Sequence, residues 1–292
     1  MQSTLGPVFS VDGGVDRPPG DLAEDFHEAS KITRITHTGW TDVRFVQLLA
    51  AEAATGDGES GGTGGDQGPS SGLGEPTSSP GLLPSRALAP RRPLRLSTSE
   101  AMERRRSAPA ATLGGGVSFA DASDVLHYAY CERDDAARPS RFVPSGGALY
   151  PLDLYLVAPG VGGLPAAVYQ LDPLRRALVN PFGHSGPDRI ERFRRAAPSL
   201  MAPIAANASA TIIVTASFER ARYKYGLRGY RLSLLEAGHV VQNAALAAAA
   251  LGLHSLGWVG FVDHELDDLL DLDGVTQSSL YAFSFGGGTD EG

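Results

Sequence analysis

The chain has 292 residues, a formal net charge of −8 and a single cysteine, with a pI near 5.4. This balance disfavours a nucleic-acid binder, whose domain carries a basic surplus on one face, and the lone Cys131 excludes an intramolecular disulfide framework or a cysteine-based zinc site. No stretch approaches the ~20 apolar residues that span a bilayer and the start lacks a secretory n-region and h-region, so the expectation is a cytoplasmic protein with one domain of roughly 190 to 220 residues.

In chain order, residues 1–23 read as a flexible N-terminus and residues 24–54 as a short structured segment. In the latter, Lys31-Ile32-Thr33-Arg34-Ile35-Thr36 alternates like a strand, and Val43, Val46, Leu48 and Leu49 have helix-compatible spacing. Residues 55–93 are dominated by Gly, Ser and Pro. They have little to bury against an ordering cost of about 1–2 kcal/mol per residue, so a disordered insertion is expected there. Arg86, Arg91, Arg92 and Arg95 read as a solvated basic connector. The main domain is expected over 94–287, with a flexible tail at 288–292.

Within that domain the pattern predicts a helix over 119–130, a Gly-Pro-Ser loop over 139–151, and two strands, 152–158 and 167–171, forming a hairpin. A helix over 188–196, a buried strand over 210–216, a long helix over 231–253 and a final strand over 279–285 follow. Hairpins mixed with helices favour an α+β fold over a doubly wound parallel sheet. The long helix is apolar nearly all round, which predicts cover on every side, and His239 within it reads as a buried, satisfied histidine.

Several motifs are set aside. Gly114-Gly115-Gly116 and Gly160-Val161-Gly162-Gly163 lack the strand, G-x-G-x-x-G and helix order of a dinucleotide site. The seven histidines are scattered without metal-ligand spacing, so no metal is expected. Asp263, Glu265, Asp267, Asp268, Asp271 and Asp273 alternate with leucines as an exposed helical face does. Cys131 reads as a small packed hydrophobe. Lys224-Tyr225 places two proton-handling groups beside the apolar helix. From the residues alone, an exposed lysine next to a core tyrosine is the plainer account.

The run Lys224-Tyr225-Gly226-Leu227-Arg228-Gly229-Tyr230-Arg231, then Leu234-Leu235-Glu236-Ala237-Gly238-His239-Val240-Val241-Gln242-Asn243, then Gly260-Phe261, resembles the nitroreductase superfamily. The likeness is to its streptolysin-type or microcin-type (SagB-type) branch, the FMN-dependent azoline oxidases. Phe26-His27-Glu28-Ala29-Ser30-Lys31, Arg105-Arg106-Ser107 and Pro144-Ser145-Gly146-Gly147-Ala148-Leu149-Tyr150-Pro151 fit in the same order.

The resemblance implies a nitroreductase-like fold with a central mixed or antiparallel sheet flanked by helices, and FMN at the interface of a homodimer. It implies flavin contacts from Arg105, Arg106, Ser107, Ser145, Gly146, Gly147, Val259 and Gly260. Pro109 stands where the family often carries a second basic residue, so Arg228 or Arg231 is expected to complete the phosphate contact. The implied reaction oxidises thiazolines or oxazolines to thiazoles or oxazoles in a ribosomally made peptide. A cyclodehydratase or another peptide-modifying enzyme is the implied partner.

Lys224 and Tyr225 are the implied catalytic pair. The reaction removes a carbon-bound proton and a hydride, and an ammonium within about 4–6 Å favours a phenolate that can take the proton. Alternatively Lys224 is itself the base. Adjacent side chains diverge on a regular helix, so the pair is expected on a loop or a helix start. Three other readings stand beside this one: an NAD(P)H-dependent nitroreductase or flavin reductase, a flavoenzyme of the same branch that acts on a non-azoline natural product, and a non-catalytic scaffold that docks an acidic leader peptide or partner enzyme on the segment from Arg86 to Arg95.

Overall fold

Strand alternation decides the layering. Leu152, Leu154, Leu156 and Ala158 belong to one apolar cluster, whereas Tyr155 and Val157 belong to another. The same period of two sends Ala210, Ile212, Val214 and Ala216 one way and Ile213 the other, and separates Phe283 and Phe285 from Ala282. Strands patterned in this way are buried on both faces and must be covered by helices on both sides.

The computed structural model describes residues 85–134, 140–183 and 186–287. The expectations for 1–23, 24–54, 55–84 and 288–292, and the motif at 26–31, lie outside the described residues. The strands are β1 (Ser85–Ala87), β2 (Val117–Ser118), β3 (Leu152–Ala158), β4 (Val161–Gly162), β5 (Ala167–Asp172), β6 (Ala177–Val179), β7 (Ala210–Ser217), β8 (Leu253–Trp258) and β9 (Gln277–Gly287). One sheet runs in the order β1-β6-β5-β3-β7-β9-β8 with every neighbouring pair antiparallel, and β2 pairs with β4 in parallel beside it.

The helices are α1 (Thr98–Arg104), α2 (Phe119–Tyr130), α3 (Gly186–Ala196), α4 (Ala202–Asn207), α5 (Phe218–Tyr225), α6 (Arg228–Ala250) and α7 (Asp263–Leu269). Apolar residues of α2 and α6 pack on one face of the sheet and those of α3, α4 and α7 on the other. The expected α+β architecture is therefore observed, and the 119–130 helix, the 152–158 strand and the hairpin fall where periodicity put them.

Three expectations are corrected. First, residues 85–92 are not part of a loose insertion. β1 pairs with β6, and the next residues are stitched to α2. The Ala89 amide donates to Ser123 Oγ at 3.0 Å and the Arg92 amide to Asp124 Oδ1 at 2.9 Å, while the Tyr128 hydroxyl donates to the Arg92 carbonyl at 2.8 Å. The partners come from another part of the chain, so the composition of the segment conceals them.

The arginines are held too. Arg92 pairs with buried Asp124 at 2.6 Å, Arg91 lies over the Tyr128 ring at 5.4 Å, and Arg86 lies over the Phe119 ring at 4.1 Å and donates to the Gly163 carbonyl.

Second, the long helix spans 228–250 rather than 231–253. Gly252 turns left-handed at φ 73°, and Leu253 begins β8, which pairs with β9. A positive φ costs glycine nothing, and it lets the chain reverse. The helix is also open on one side: Leu234, Leu235, Gly238, His239 and Gln242 are exposed, so His239 is not a buried histidine. Their spacing forms a single outward stripe while Ala237, Val240, Ala244 and Ala248 face the core.

Third, the acidic run is not uniformly exposed. Asp267 is buried and accepts from the Ser279 amide at 2.7 Å and the Ser278 hydroxyl at 2.9 Å, tying α7 to the start of β9. Cys131 is buried as expected, and desolvation pushes its thiol up to about 12.

His127 gives the strap on α2 a pH dependence. Its Nε2 donates to the Ala89 carbonyl at 2.9 Å. Burial, the largest influence, pulls the imidazole below its ordinary 6.5 despite that bond and Asp124. A folded value below the unfolded one means the unfolded chain binds the extra proton first. The stability is therefore present in full above 6.5 and is lost as pH falls from 6.5 through the folded value. Urea denaturation between pH 7.5 and 5.5 should show that loss, with a slope of at most about 1.4 kcal/mol per pH unit from this one proton. The loss should be smaller in His127→Gln, and equal slopes in the two proteins would contradict the assignment.

Candidate functional site

Helix α5 carries the candidate catalytic pair. Phe218, Ala221 and Lys224 recur every three residues and share its buried face, which draws the lysine stem inward and leaves Lys224 only 7% exposed. The helix stops after Tyr225, where Gly226 adopts φ 54°. The pair thus occupies the last turn of a helix, not the expected loop or helix start. It meets nonetheless, because the long lysine chain folds back: Lys224 Nζ lies 5.3 Å from the centre of the Tyr225 ring.

The loop facing this pair is 144–151. Gly147 has φ 64°, and two non-glycine residues, Ala148 at 56° and Tyr150 at 46°, also lie in the left-handed region. Such residues cost of order 1–3 kcal/mol each and persist where their surroundings dictate them. Here Ser145 Oγ accepts from the Tyr150 amide at 2.9 Å, and the Tyr150 hydroxyl accepts from the Arg141 amide at 3.1 Å.

The outcome is a close approach. A methyl group placed on Gly147 would sit 2.6 Å from Tyr225 Oη and 2.8 Å from Lys224 Nζ, and one on Gly146 would meet Leu232 of α6 at 3.0 Å. Phenol and ammonium thus converge on one point of glycine backbone. Five of the expected residues, Ser145, Gly146, Gly147, Lys224 and Tyr225, are brought together.

A second group hangs on β8. Arg105 closes α1, and Ser107 bridges to Ser255 of β8, with the Ala108 amide donating to the Ser255 carbonyl at 2.9 Å. Arg106 and Ser107 are exposed. Pro109 opens a 3-10 turn over Ala110–Leu113.

At the far end of β8, Gly257 and Trp258 are the last residues of the strand, and Val259 and Gly260 follow it. The Trp258 indole donates to Ser284 Oγ at 2.9 Å, and Ser284 Oγ hydrogen-bonds Thr211 Oγ1 at 2.8 Å. That anchor fixes the strand end from which exposed Val259 and half-buried Gly260 project.

The first turns of α6 lie between the groups. Leu232 faces the glycine loop, while Tyr230 and Leu234 line a cleft of about 600 Å³ together with Val259, Phe261 and Arg222. Arg228 opens the helix, and its Nε is buried without a hydrogen-bond partner among the described residues. Arg231 follows one turn later.

Sequence reasoning passed over Glu236, Tyr130 and Arg141. The available signal was a carboxylate in the middle of an apolar helix, which is rarely buried without a purpose.

The profile of the family described as the nitroreductase family matches residues 115–287. The chain belongs to the nitroreductase family. This is a family of oxidoreductases whose members typically bind flavin. Among the relatives of this chain, MJ1384 of Methanocaldococcus jannaschii, assigned by name to the nitroreductases, is 33% identical over 156 residues, which are 53% of this chain and 75% of MJ1384.

The microcin B17-processing protein McbC of Escherichia coli is 32% identical over 163 residues, 54% of this chain and 58% of McbC, so the chain spans less than two thirds of that relative. Among solved structures, a chain of the E. coli microcin synthetase McbBCD complex with truncated pro-MccB17 bound aligns over 90% of this chain and 100% of that chain. Its TM-score is 0.54 at 23% identity, a likeness of fold. No helix among the described residues is long and apolar enough to cross a membrane.

Proposed function

We propose that this protein is an FMN-dependent dehydrogenase that oxidises thiazolines or oxazolines to the aromatic azoles in a ribosomally made peptide, working as a homodimer in the cytoplasm. The observation that carries the reading is the convergence of Lys224 and Tyr225 on the Gly147 backbone. Kinship with a microcin B17-processing protein supports a peptide substrate, and the assembled microcin synthetase supports a cyclodehydratase or another peptide-modifying enzyme as partner. Arg86, Arg91 and Arg92 are engaged within the fold, which leaves little of the basic dock that a scaffold reading requires.

The residues present fit FMN. A phosphate wants charge-assisted donors, and Arg228 offers a buried guanidinium nitrogen with no partner among the described residues at the first turn of a 23-residue helix, whose N-terminus favours an anion. Arg105, Arg106 and Ser107 are further donors, with Arg231 one turn along α6. Gly146 and Gly147 leave backbone bare for a flat ring, and Val259 and Gly260 add amides from a second direction.

The flavin, when bound, supplies the acceptor for the substrate hydride. Tyr225 takes the proton from the carbon, and Lys224 holds the phenolate charge. Loop 144–151 sets the distance between them, and the exposed stripe of Leu234, Leu235 and His239 on α6 is the surface a second subunit covers.

The test is direct. Purified protein should carry flavin bands near about 450 nm, as the bound cofactor dictates, and should remove two hydrogens per ring from an azoline-containing peptide, read by mass spectrometry. Colourless protein that binds no added FMN would end the reading. Bleaching of the flavin by NAD(P)H, with no change in the peptide, would assign the chain to nitro or flavin reduction.

A further inference from the structure

Helix α5 is tied to the sheet by a fork that the proposed chemistry does not use. Arg220 Nη1 donates to Asp153 Oδ1 at 3.1 Å, and Arg220 Nη2 donates to Asp153 Oδ2 at 2.9 Å. Two parallel bonds between a guanidinium and a carboxylate fix direction as well as distance.

The Asp153 end is firmly placed. It is the second residue of β3, two places past the end of loop 144–151, and it pairs with Thr215 of β7. Its carbonyl accepts from the Thr215 hydroxyl at 3.2 Å, and the Pro151 carbonyl accepts from the Ser217 amide at 2.8 Å. At the other end, Arg220 precedes Lys224 by one helical turn, about 6 Å along the axis, and residues four apart share a helix face. Helix α5 therefore meets segment 147–153 at two points. Arg220 grips Asp153 near the start of the helix, and Lys224 and Tyr225 stand over Gly147 at its end.

The geometry points to Arg220 and Asp153 as positioning residues for the Lys224–Tyr225 pair: their fork locks α5 to the strand that leaves the glycine loop, and so sets where the ammonium and the phenol stand over Gly147. This role rests on the reading of that pair given above.

The helix needs such a lock. It has 8 residues and follows β7 directly, and its N-cap Ser217 supplies no side-chain hydrogen bond. So short a helix takes its placement from tertiary contacts, not from its own stability. Phe218 and Ala221 seat it on α6, with the Phe218 and Tyr230 rings 5.1 Å apart and the Ala221 backbone against Gly229. The fork adds a hold from the direction of β3. Its side chains are 33% and 24% exposed, and a pair so wet adds little to global stability. Its loss should be felt in the placement of α5 far more than in melting.

A double-mutant cycle of Arg220→Gln and Asp153→Asn on the flavin-loaded protein tests the link. Each single variant should lower kcat on an azoline-containing peptide about tenfold or more, as a small misplacement does, with KM unchanged. The melting temperature should move by no more than about 4 °C. The double variant should be no slower than the slower single one, since one substitution already breaks the fork. Arg220→Lys, which keeps the charge and loses the two-point geometry, should remain slow.

A second measurement needs no turnover. Lys31 and Lys224 are the only lysines of the sequence, so reductive methylation with formaldehyde, read by peptide mass spectrometry, follows Lys224 with Lys31 as the internal reference. Lys224 is 7% exposed, and either single variant should raise its labelling about two- to fivefold. Multiplied kcat losses in the double variant, a wild-type kcat in Arg220→Lys, a rise in KM alone, or unchanged labelling of Lys224 in both single variants would each overturn the assignment. Failure of the proposed function is distinct from these: wild-type protein would leave the peptide unaltered, while the labelling would still report on the fork.

Discussion

Tyr225→Phe is expected to slow azole formation by about 10²–10⁴-fold, the usual contribution of a positioned general base, with the protein still folded and still carrying its flavin. The phenylalanine ring fills the same space, and Phe218 and Ala221 still seat α5 on the core. Only the oxygen that stands 2.6 Å from the Gly147 methyl position is lost.

Lys224→Ala should cost as much, but Lys224→Arg separates two roles. A guanidinium keeps the positive charge and does not deprotonate in proteins. If Lys224 serves to stabilise the Tyr225 phenolate, the arginine variant retains a measurable part of the rate. If Lys224 is itself the base, it is as inactive as alanine. Single-turnover rates on an azoline peptide, with flavin absorbance as the check on loading, decide between them. Wild-type turnover in both Tyr225→Phe and Lys224→Ala would remove the pair from the mechanism.

The sequence exposed this pair but not its setting. Periodicity located the strands at 152–158 and 210–216 because both faces are apolar and their lengths are ordinary. It missed α5, since Phe218-Glu219-Arg220-Ala221-Arg222-Tyr223 carries few apolar residues, and only the stripe of Phe218, Ala221 and Lys224 binds it to the core. A lysine counted as polar hides such a stripe.

The strap at 88–92 was invisible for a different reason. Its partners Ser123, Asp124, His127 and Tyr128 lie on a helix that reads as amphipathic by itself. Glu236 was written in the sequence as a charge amid leucine and alanine, but its hydrogen bond with Tyr130 of α2 cannot be inferred from spacing. The glycine loop was legible as a motif, whereas the left-handed turn at Ala148 and Tyr150 is imposed by tertiary contacts that override local preference.

The junction of α5 and α6 is a sensitive point of the framework, and Gly229→Ala is the variant that tests it. A Cβ at Gly229 would stand 2.6 Å from Ala221 C, 2.7 Å from the Arg222 nitrogen and 2.9 Å from the Ala221 oxygen. All three are backbone atoms of α5, so no side chain can swing aside and the two helices must part. Overpacking of this kind costs about 1–3 kcal/mol or more, and alanine's better helix propensity returns about 1 kcal/mol of it. The melting temperature should fall by only a few degrees for a domain of this size.

Activity should suffer more than stability. Lys224 and Tyr225 lie in the turn that follows Arg222 and move with it, and a misplacement of about 1 Å can cost about 10²-fold in rate. Calorimetry and azoline turnover on the same preparation measure both effects. A variant that melts lower yet turns over at the wild-type rate would show that the position of α5 does not set the chemistry, and the convergence on Gly147 would then have no catalytic meaning.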